Sequence, residues 1–314
     1  MDQHQGVKVV EACQVAPLQG SITSSTTPTS LPLTYFDLLS LEFKPVRQLF
    51  FYEFPHPTTS FFDSVVPNLK HSLQLTLQHF LPLAGTLTWP HDSPYPVINY
   101  VPGDVVPFIV AESVANNFNT LCSNLCETVA RHPLIPHLSI ISHEKVSLLA
   151  LQVTLFPNNG FCIGITIGHG AADGNSAALF INAWAYICSK LIDSTSPSSP
   201  LSLSLPEHLT PFFDRSVITD RTTIIPEAGG PKNRSVKRWE WKNHATQVDT
   251  FKGLFELTPW HVQNLKQYAR SKLKTKLRIS TFSVPIEPSD SDQLFRKLRW
   301  RPCDCGRDKE LIRK

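Results

Sequence analysis

Two residues in the segment Ile163-Gly-Ile-Thr-Ile-Gly-His169-Gly-Ala-Ala-Asp173-Gly174 have types and a spacing that can move protons. An imidazole that titrates near neutrality can accept a proton and return it within one reaction cycle. The carboxylate four residues on has two possible uses. It can orient the imidazole, as a triad acid does, or it can turn away and pin the loop through an arginine. The tight Gly-Ala-Ala turn favours the second use. Arg215 is then the candidate partner and Arg278 the alternative. No Gly-x-Ser-x-Gly elbow precedes the histidine and no cysteine is suitably placed. The expected chemistry is direct general-base transfer without a covalent enzyme intermediate.

The neighbouring elements must hold His169 still. Phe161, Ile163, Ile165 and Ile167 alternate as on one face of a strand, and continued alternation puts His169 on that face. Gly170 to Gly174 are small enough for a tight path. A helix follows from about Ser176 to Leu191, with Phe180, Trp184, Ile187 and Leu191 as its apolar stripe and Asn175 or Ser176 as its cap. His169 is therefore expected at a strand end beside a helix N-terminus, close to a surface that faces a second domain. The preceding run, Val146 to Phe156, joins Phe161 to Gly168 through Pro157-Asn-Asn-Gly160, which predicts a β-hairpin.

Upstream, Val7 to Val15 and Leu49 to Phe54 read as strands. The spacing of Phe62, Val66, Leu69, Leu73, Leu77 and Phe80 predicts a helix from Ser60 to Phe80, with a late start or bend at Pro67. Val97 to Tyr100 and Val106 to Val110 read as short strands, and Val114 to Arg131 is weakly helical. Ser21 to Thr29, Ser194 to Ser204 and Ala228 to Arg238 read as exposed loops or linkers. Phe251 to Leu257 is a strand candidate. Thr258 caps a further helix with Pro259 at its first position, running to about Ser271.

Composition sets the class. Hydrophobic residues make up 41% of 314 residues, enough for a sizeable core in about two domains. A net charge of +3 is too small to point to nucleic acid. No apolar run reaches the roughly 18 residues of a membrane span. The N-terminus carries no apolar stretch of signal-peptide length. The seven cysteines, Cys122 and Cys126 and the tail pair Cys303 and Cys305 among them, form no CxxC pairs. No metal is expected, and the thiols read as reduced and cytoplasmic.

With these residues in view, the chain resembles the plant BAHD acyl-CoA-dependent acyltransferases, in the branch that malonylates or otherwise acylates anthocyanins and phenolic glucosides. The HxxxD-G segment carries the resemblance. So do Leu31-Pro-Leu-Thr-Tyr-Phe-Asp37, Val46-Arg-Gln-Leu-Phe-Phe-Tyr-Glu53, Leu73 to Gly85, Leu149 to Gly160, Pro211-Phe-Phe-Asp-Arg-Ser-Val-Ile218 and Phe255-Glu-Leu-Thr258. The match runs from about residue 7 to Phe282.

The resemblance implies an α/β fold like that of chloramphenicol acetyltransferase: an N-terminal domain with a mixed sheet and flanking helices, and a second domain that is incomplete here. It divides the chain into an N-terminal acyltransferase domain over 1–192, a crossover linker over 193–250, the start of a C-terminal domain over 251–282, and a divergent, poorly ordered tail over 283–314. It makes His169 the catalytic base and Asp173 structural, with Gly174 matching the glycine that follows; Arg215, the candidate partner of Asp173 read from the turn, is expected to be structural with them. Acyl-CoA, either malonyl-CoA or a hydroxycinnamoyl-CoA, is implied as co-substrate with no bound cofactor. The implied acceptor is a glycosylated phenol, flavonoid or anthocyanin, and the full-length protein is implied to be a monomer.

The chain departs from the family at Asn175, where Lys or Arg is usual, and it lacks the Asp-Phe-Gly-Trp-Gly and Tyr-Phe-Gly-Asn-Cys segments. After Phe282 eight Lys or Arg fall between Arg296 and Lys314. The chain therefore reads as C-terminally truncated. That leaves a second reading, an inactive remnant or interaction protein of the same family.

Overall fold

The computed structural model describes residues 6–18, 29–93, 95–115, 117–123, 128–193, 204–215, 235–236 and 257–272. The expected strand at Phe251–Leu257 (apart from Leu257), most of the three expected loops, Cys126, Arg278 and the tail from Ser283 lie outside these residues. Two compact units are present, one within Met1–Thr250 and one within Phe251–Lys314.

Among the described residues the first unit contains ten strands and six short or long α-helical segments. In chain order these are β1 (Val7–Val15), β2 (Ser30–Pro32), α1 (Tyr35–Ser40), β3 (Val46–Glu53), α2 (Thr58–Ser60), α3 (Val66–His79), α4 (Leu81–Ala84), β4 (Thr86–Thr88), β5 (Val97–Asn99), β6 (Val106–Ser113), α5 (Phe118–Cys122), β7 (Ile140–Ser142), β8 (Lys145–Ser147), β9 (Leu149–Phe156), β10 (Gly160–Ile167) and α6 (Gly174–Asp193). The second unit contributes α7 (Pro259–Lys272). Its Thr258 hydroxyl accepts from the His261 N–H at 3.3 Å, the cap expected from the Thr-Pro pair.

The strands form two sheets. One is mixed, in the order β1-β6-β9-β10-β3, with β6 and β9 parallel and the other pairs antiparallel. The other is antiparallel, in the order β2-β5-β4-β8-β7. The single run expected from Val146 to Phe156 is thus broken at Leu148, and its two parts serve different sheets. The hairpin of β9 and β10 forms as expected, with Gly160 opposite Phe156 and Ile167 opposite Leu149.

Both faces of this hairpin are covered. On one side Ile163, Ile165 and Ile167 pack in a core with Leu69 and Leu73 of α3 and Phe180 and Trp184 of α6. The indole N–H of Trp184 donates to the Ser72 hydroxyl at 2.9 Å, which satisfies both groups inside the core. On the other side the segment from Thr128 to Pro136 lies so close that a Cβ at Gly164 would fall 2.1 Å from the Leu134 carbonyl oxygen. Thr166 and Gln152 donate to the carbonyls of Pro136 and Pro133 at 2.6 and 2.8 Å. Every residue of β9 is buried as a result. The odd face of β10 is therefore occupied by helices of its own unit.

Three expectations shift. The helix over 58–79 passes through a π-helical stretch, Phe61–Val65, and Pro67 then falls in the first turn of α3. A proline there needs no backbone donor, so the helix continues without a break. The weak helix over 114–131 contracts to α5 and a 3₁₀ stretch at Thr128–Leu134. Helix α6 starts two residues earlier than its apolar stripe implies, because Asp173 caps it.

Candidate active site

Strand β10 ends at Ile167. The Gly168 N–H donates to the Leu148 carbonyl at 2.8 Å, which ties the turn to the point where β8 gives way to β9. The Gly168 carbonyl then accepts from Ala171 at 2.9 Å and from Ala172 at 3.3 Å, closing the tight path. The strand alternation stops here, so it does not by itself set where His169 points.

His169 is half-buried, and its ring centroid lies 5.4 Å from that of Phe43 at an interplanar angle of 58°. Its Nδ1 is buried and has no hydrogen-bonding partner among the described residues. Among the described residues the ring is therefore held by packing and by its backbone, with no carboxylate of the triad kind. The next residue shows why the turn needs a glycine. A Cβ at Gly170 would lie 2.6 Å from Leu41 Cδ2 and 3.7 Å from the Asp37 carbonyl oxygen. By contrast, a Cβ at Gly174 would meet nothing within 4 Å, so packing gives no reason for that glycine.

Asp173 turns toward the helix. Its carboxylate accepts from the Ser176 N–H at 2.8 Å, and its carbonyl accepts from the Ala177 N–H at 2.9 Å. It is the N-cap of α6, in place of the expected Asn175 or Ser176, which are the second and third helical residues. The Ser176 N–H holds the Asp173 carboxyl below its ordinary pKa. Partial burial works against this, and the nearby charge of His169 adds a smaller push in the same direction. The helix N-terminus also favours a negative charge at this position.

Arg215 does not pair with Asp173. Its Nη1 donates to the Asp37 carboxylate and, at 2.8 Å, to the Pro32 carbonyl. The reason is geometric. Asp173 is occupied by its own helix, whereas Asp37 Oδ2 already sits in a capping box at the start of α1 and still has room for a cation. There it accepts from the Thr34 N–H at 2.7 Å and the Thr34 hydroxyl at 2.8 Å, while the Asp37 N–H donates to the Thr34 hydroxyl at 3.3 Å. The Thr34-x-x-Asp37 spacing is a sequence-level capping signal. Phe43 and Leu41, which touch the His169 turn, carry no such signal.

A cavity of about 450 Å³ opens elsewhere, over the helix side of β3 and β10. Phe50, Tyr52, Leu69, Trp184 and Cys188 line it, and His169 does not.

A model of the Transferase family matches residues 19–284. The chain belongs to this family, the BAHD acyltransferases. Among characterised BAHD relatives, it is 38% identical over 302 residues to phenolic glucoside malonyltransferase 1 of Bemisia tabaci, covering 90% of this chain and 62% of the relative. It is 32% identical over 293 residues to coumaroyl-CoA:anthocyanidin 3-O-glucoside-6''-O-coumaroyltransferase 2 of Arabidopsis thaliana, covering 90% and 60%. The chain thus spans about three fifths of the length of these relatives. Among solved structures it resembles vinorine synthase, with a TM-score of 0.52 and 22% identity over 86% of this chain and 57% of that one. That likeness supports the fold, α/β with a mixed sheet and flanking helices. Among the described residues no helix is long and apolar enough to cross a membrane.

Proposed function

We propose that this chain carries the general-base part of an acyl-CoA-dependent O-acyltransferase, with His169 as the base. The observation that carries the reading is the seat of His169. It stands half-buried on a hydrogen-bonded turn between a buried strand and a capped helix, in a chain of the BAHD family. A rigid, partly desolvated imidazole is suited to proton transfer. His169 takes the proton from an acceptor hydroxyl, and the oxygen attacks the thioester carbonyl. The tetrahedral oxyanion needs hydrogen-bond donors. It collapses with loss of the CoA thiolate, which recovers the proton from the imidazolium.

The names of the relatives point to malonyl-CoA or coumaroyl-CoA as donor and to a phenolic or anthocyanidin glucoside as acceptor. Asp173 has a structural role in this scheme, as the cap that fixes the turn.

The test joins this chain to the C-terminal stretch of the Bemisia tabaci relative that it does not span. Ester is then sought by mass with each donor and a phenolic or anthocyanidin glucoside. The joined protein is expected to form ester, and His169→Ala to reduce the rate by roughly 10²–10⁴-fold. The 314-residue chain alone is expected to form little, because it spans about three fifths of its relatives' length and two substrates must be held in register. Ester formation undiminished by His169→Ala overturns the assignment.

A further inference from the structure

We propose that Arg215 is a positioning residue for His169 and acts through α1. The chain of contact is short. Arg215 Nη1 grips the Asp37 carboxylate and the Pro32 carbonyl, bracketing the start of α1 from 178 residues away in sequence. The ion pair is shielded, with the two side chains 19% and 23% exposed. Charge-assisted bonds in such a setting fix geometry better than they do at an open surface.

Leu41 and Phe43 lie directly after α1, with Leu41 as its C-cap. Leu41 is 1% exposed, and its Cδ2 fills the space that a side chain at Gly170 would need. Phe43 lies against the His169 ring. The segment carrying Arg215 is itself anchored, since Phe213 packs on the cluster that contains Leu41, Leu31 and Leu148.

Among the described residues no triad-type carboxylate orients the His169 ring, and its Nδ1 meets no partner. Its orientation therefore depends on packing from the α1 side. Arg215 sets where α1 sits, α1 sets Leu41 and Phe43, and these set the turn and the ring. The effect on rate rests on His169 being the base; the effect on ring position does not.

The experiment separates the two. In the 314-residue chain, the His169 imidazole Cε1–H signal is assigned by its loss in His169→Gln. Arg215→Ala is expected to shift that signal as the Phe43 ring moves. The His56 signal should stay in place, because that ring rests on Phe54. Asp37→Asn should produce the same shift, and the double variant no more than either single change. Arg215→Lys keeps the charge and should restore most of the wild-type position, which also covers the case in which Arg215→Ala fails to fold.

In the joined protein, Arg215→Ala is expected to lower kcat by up to about 10²-fold, the scale of a small misplacement, with KM for acyl-CoA unchanged. A loss of stability that leaves the His169 signal in place overturns the proposal, as do additive shifts in the double variant. A shifted signal without any His169-dependent turnover keeps the positioning role and removes the general-base assignment instead.

Discussion

Two turns meet at His169, and each begins a helix with an aspartate. In the first, Asp37 closes a capping box with Thr34 and also receives Arg215. In the second, Asp173 caps α6 through Ser176. Both carboxylates satisfy backbone donors at a helix start, where an N-terminus otherwise leaves four unpaired N–H groups. Among the described residues only the first is also tied to a distant part of the chain. The difference teaches where each carboxylate's rigidity comes from: Asp173 acts within its own turn and helix, whereas Asp37 is also held by the fold.

The largest effect is expected where the two turns touch. Leu41 is almost fully buried and packs where Gly170 leaves room. Leu41→Ala should cost about 2–5 kcal/mol, as core truncations do. It should also free the His169 turn, readable as faster amide exchange at Gly170 and Ala171. A loss below about 1 kcal/mol in urea unfolding would show that the turns are independent and that the comparison has no common hinge.

The two aspartates should then differ. Asp173→Ala removes one cap and should cost about 1 kcal/mol. Asp37→Ala removes a cap and strands a shielded guanidinium, so about 2 kcal/mol or more is expected. The difference should shrink in the Arg215→Ala background, where Asp37 keeps only its local role. Equal costs in both backgrounds would mean that the long-range pair contributes nothing to stability.

Much of this was legible in the sequence, in proportion to how local it is. The hairpin at Pro157-Asn-Asn-Gly160, the strand from Val7 to Val15 and the Thr258-Pro259 helix start follow from turn and cap chemistry over a few residues, and they form as expected. The break at Leu148 was not legible, since an unbroken apolar run gives no sign that its halves join different sheets. The position of Asp173 was half legible. The tight Gly-Ala-Ala turn correctly implies that its carboxylate leaves the imidazole, but the donor it finds is the Ser176 N–H of the adjacent helix, while Arg215 goes to Asp37. Which carboxylate receives Arg215 depends on how residues 178 apart in sequence are brought together, and no short-range pattern encodes that. Phe43 and Leu41 were missed for the same reason: a single Phe or Leu near a turn carries no periodic signal.

The smallest expected effect concerns charge alone. Asn caps a helix about as well as Asp, so Asp173→Asn keeps the hydrogen bond to Ser176 and removes only the negative charge. The folded-state pKa of Asp173 lies below its ordinary 3.8, chiefly because the Ser176 N–H stabilises the carboxylate. As pH falls, the unfolded chain takes up this proton first. The stabilising contribution is therefore fully present above about pH 4, and it is lost as pH drops through the lowered folded-state value. Near neutrality the wild-type chain should exceed Asp173→Asn by about 0.3–1 kcal/mol, the usual worth of an anion at a helix N-terminus. Urea unfolding of both proteins from pH 7 down to pH 3 should show the gap closing in the acid range. A gap that stays constant across that range would mean that the charge is idle and that the second turn is held by its hydrogen bonds alone, which would make the two turns differ even more than their contacts suggest.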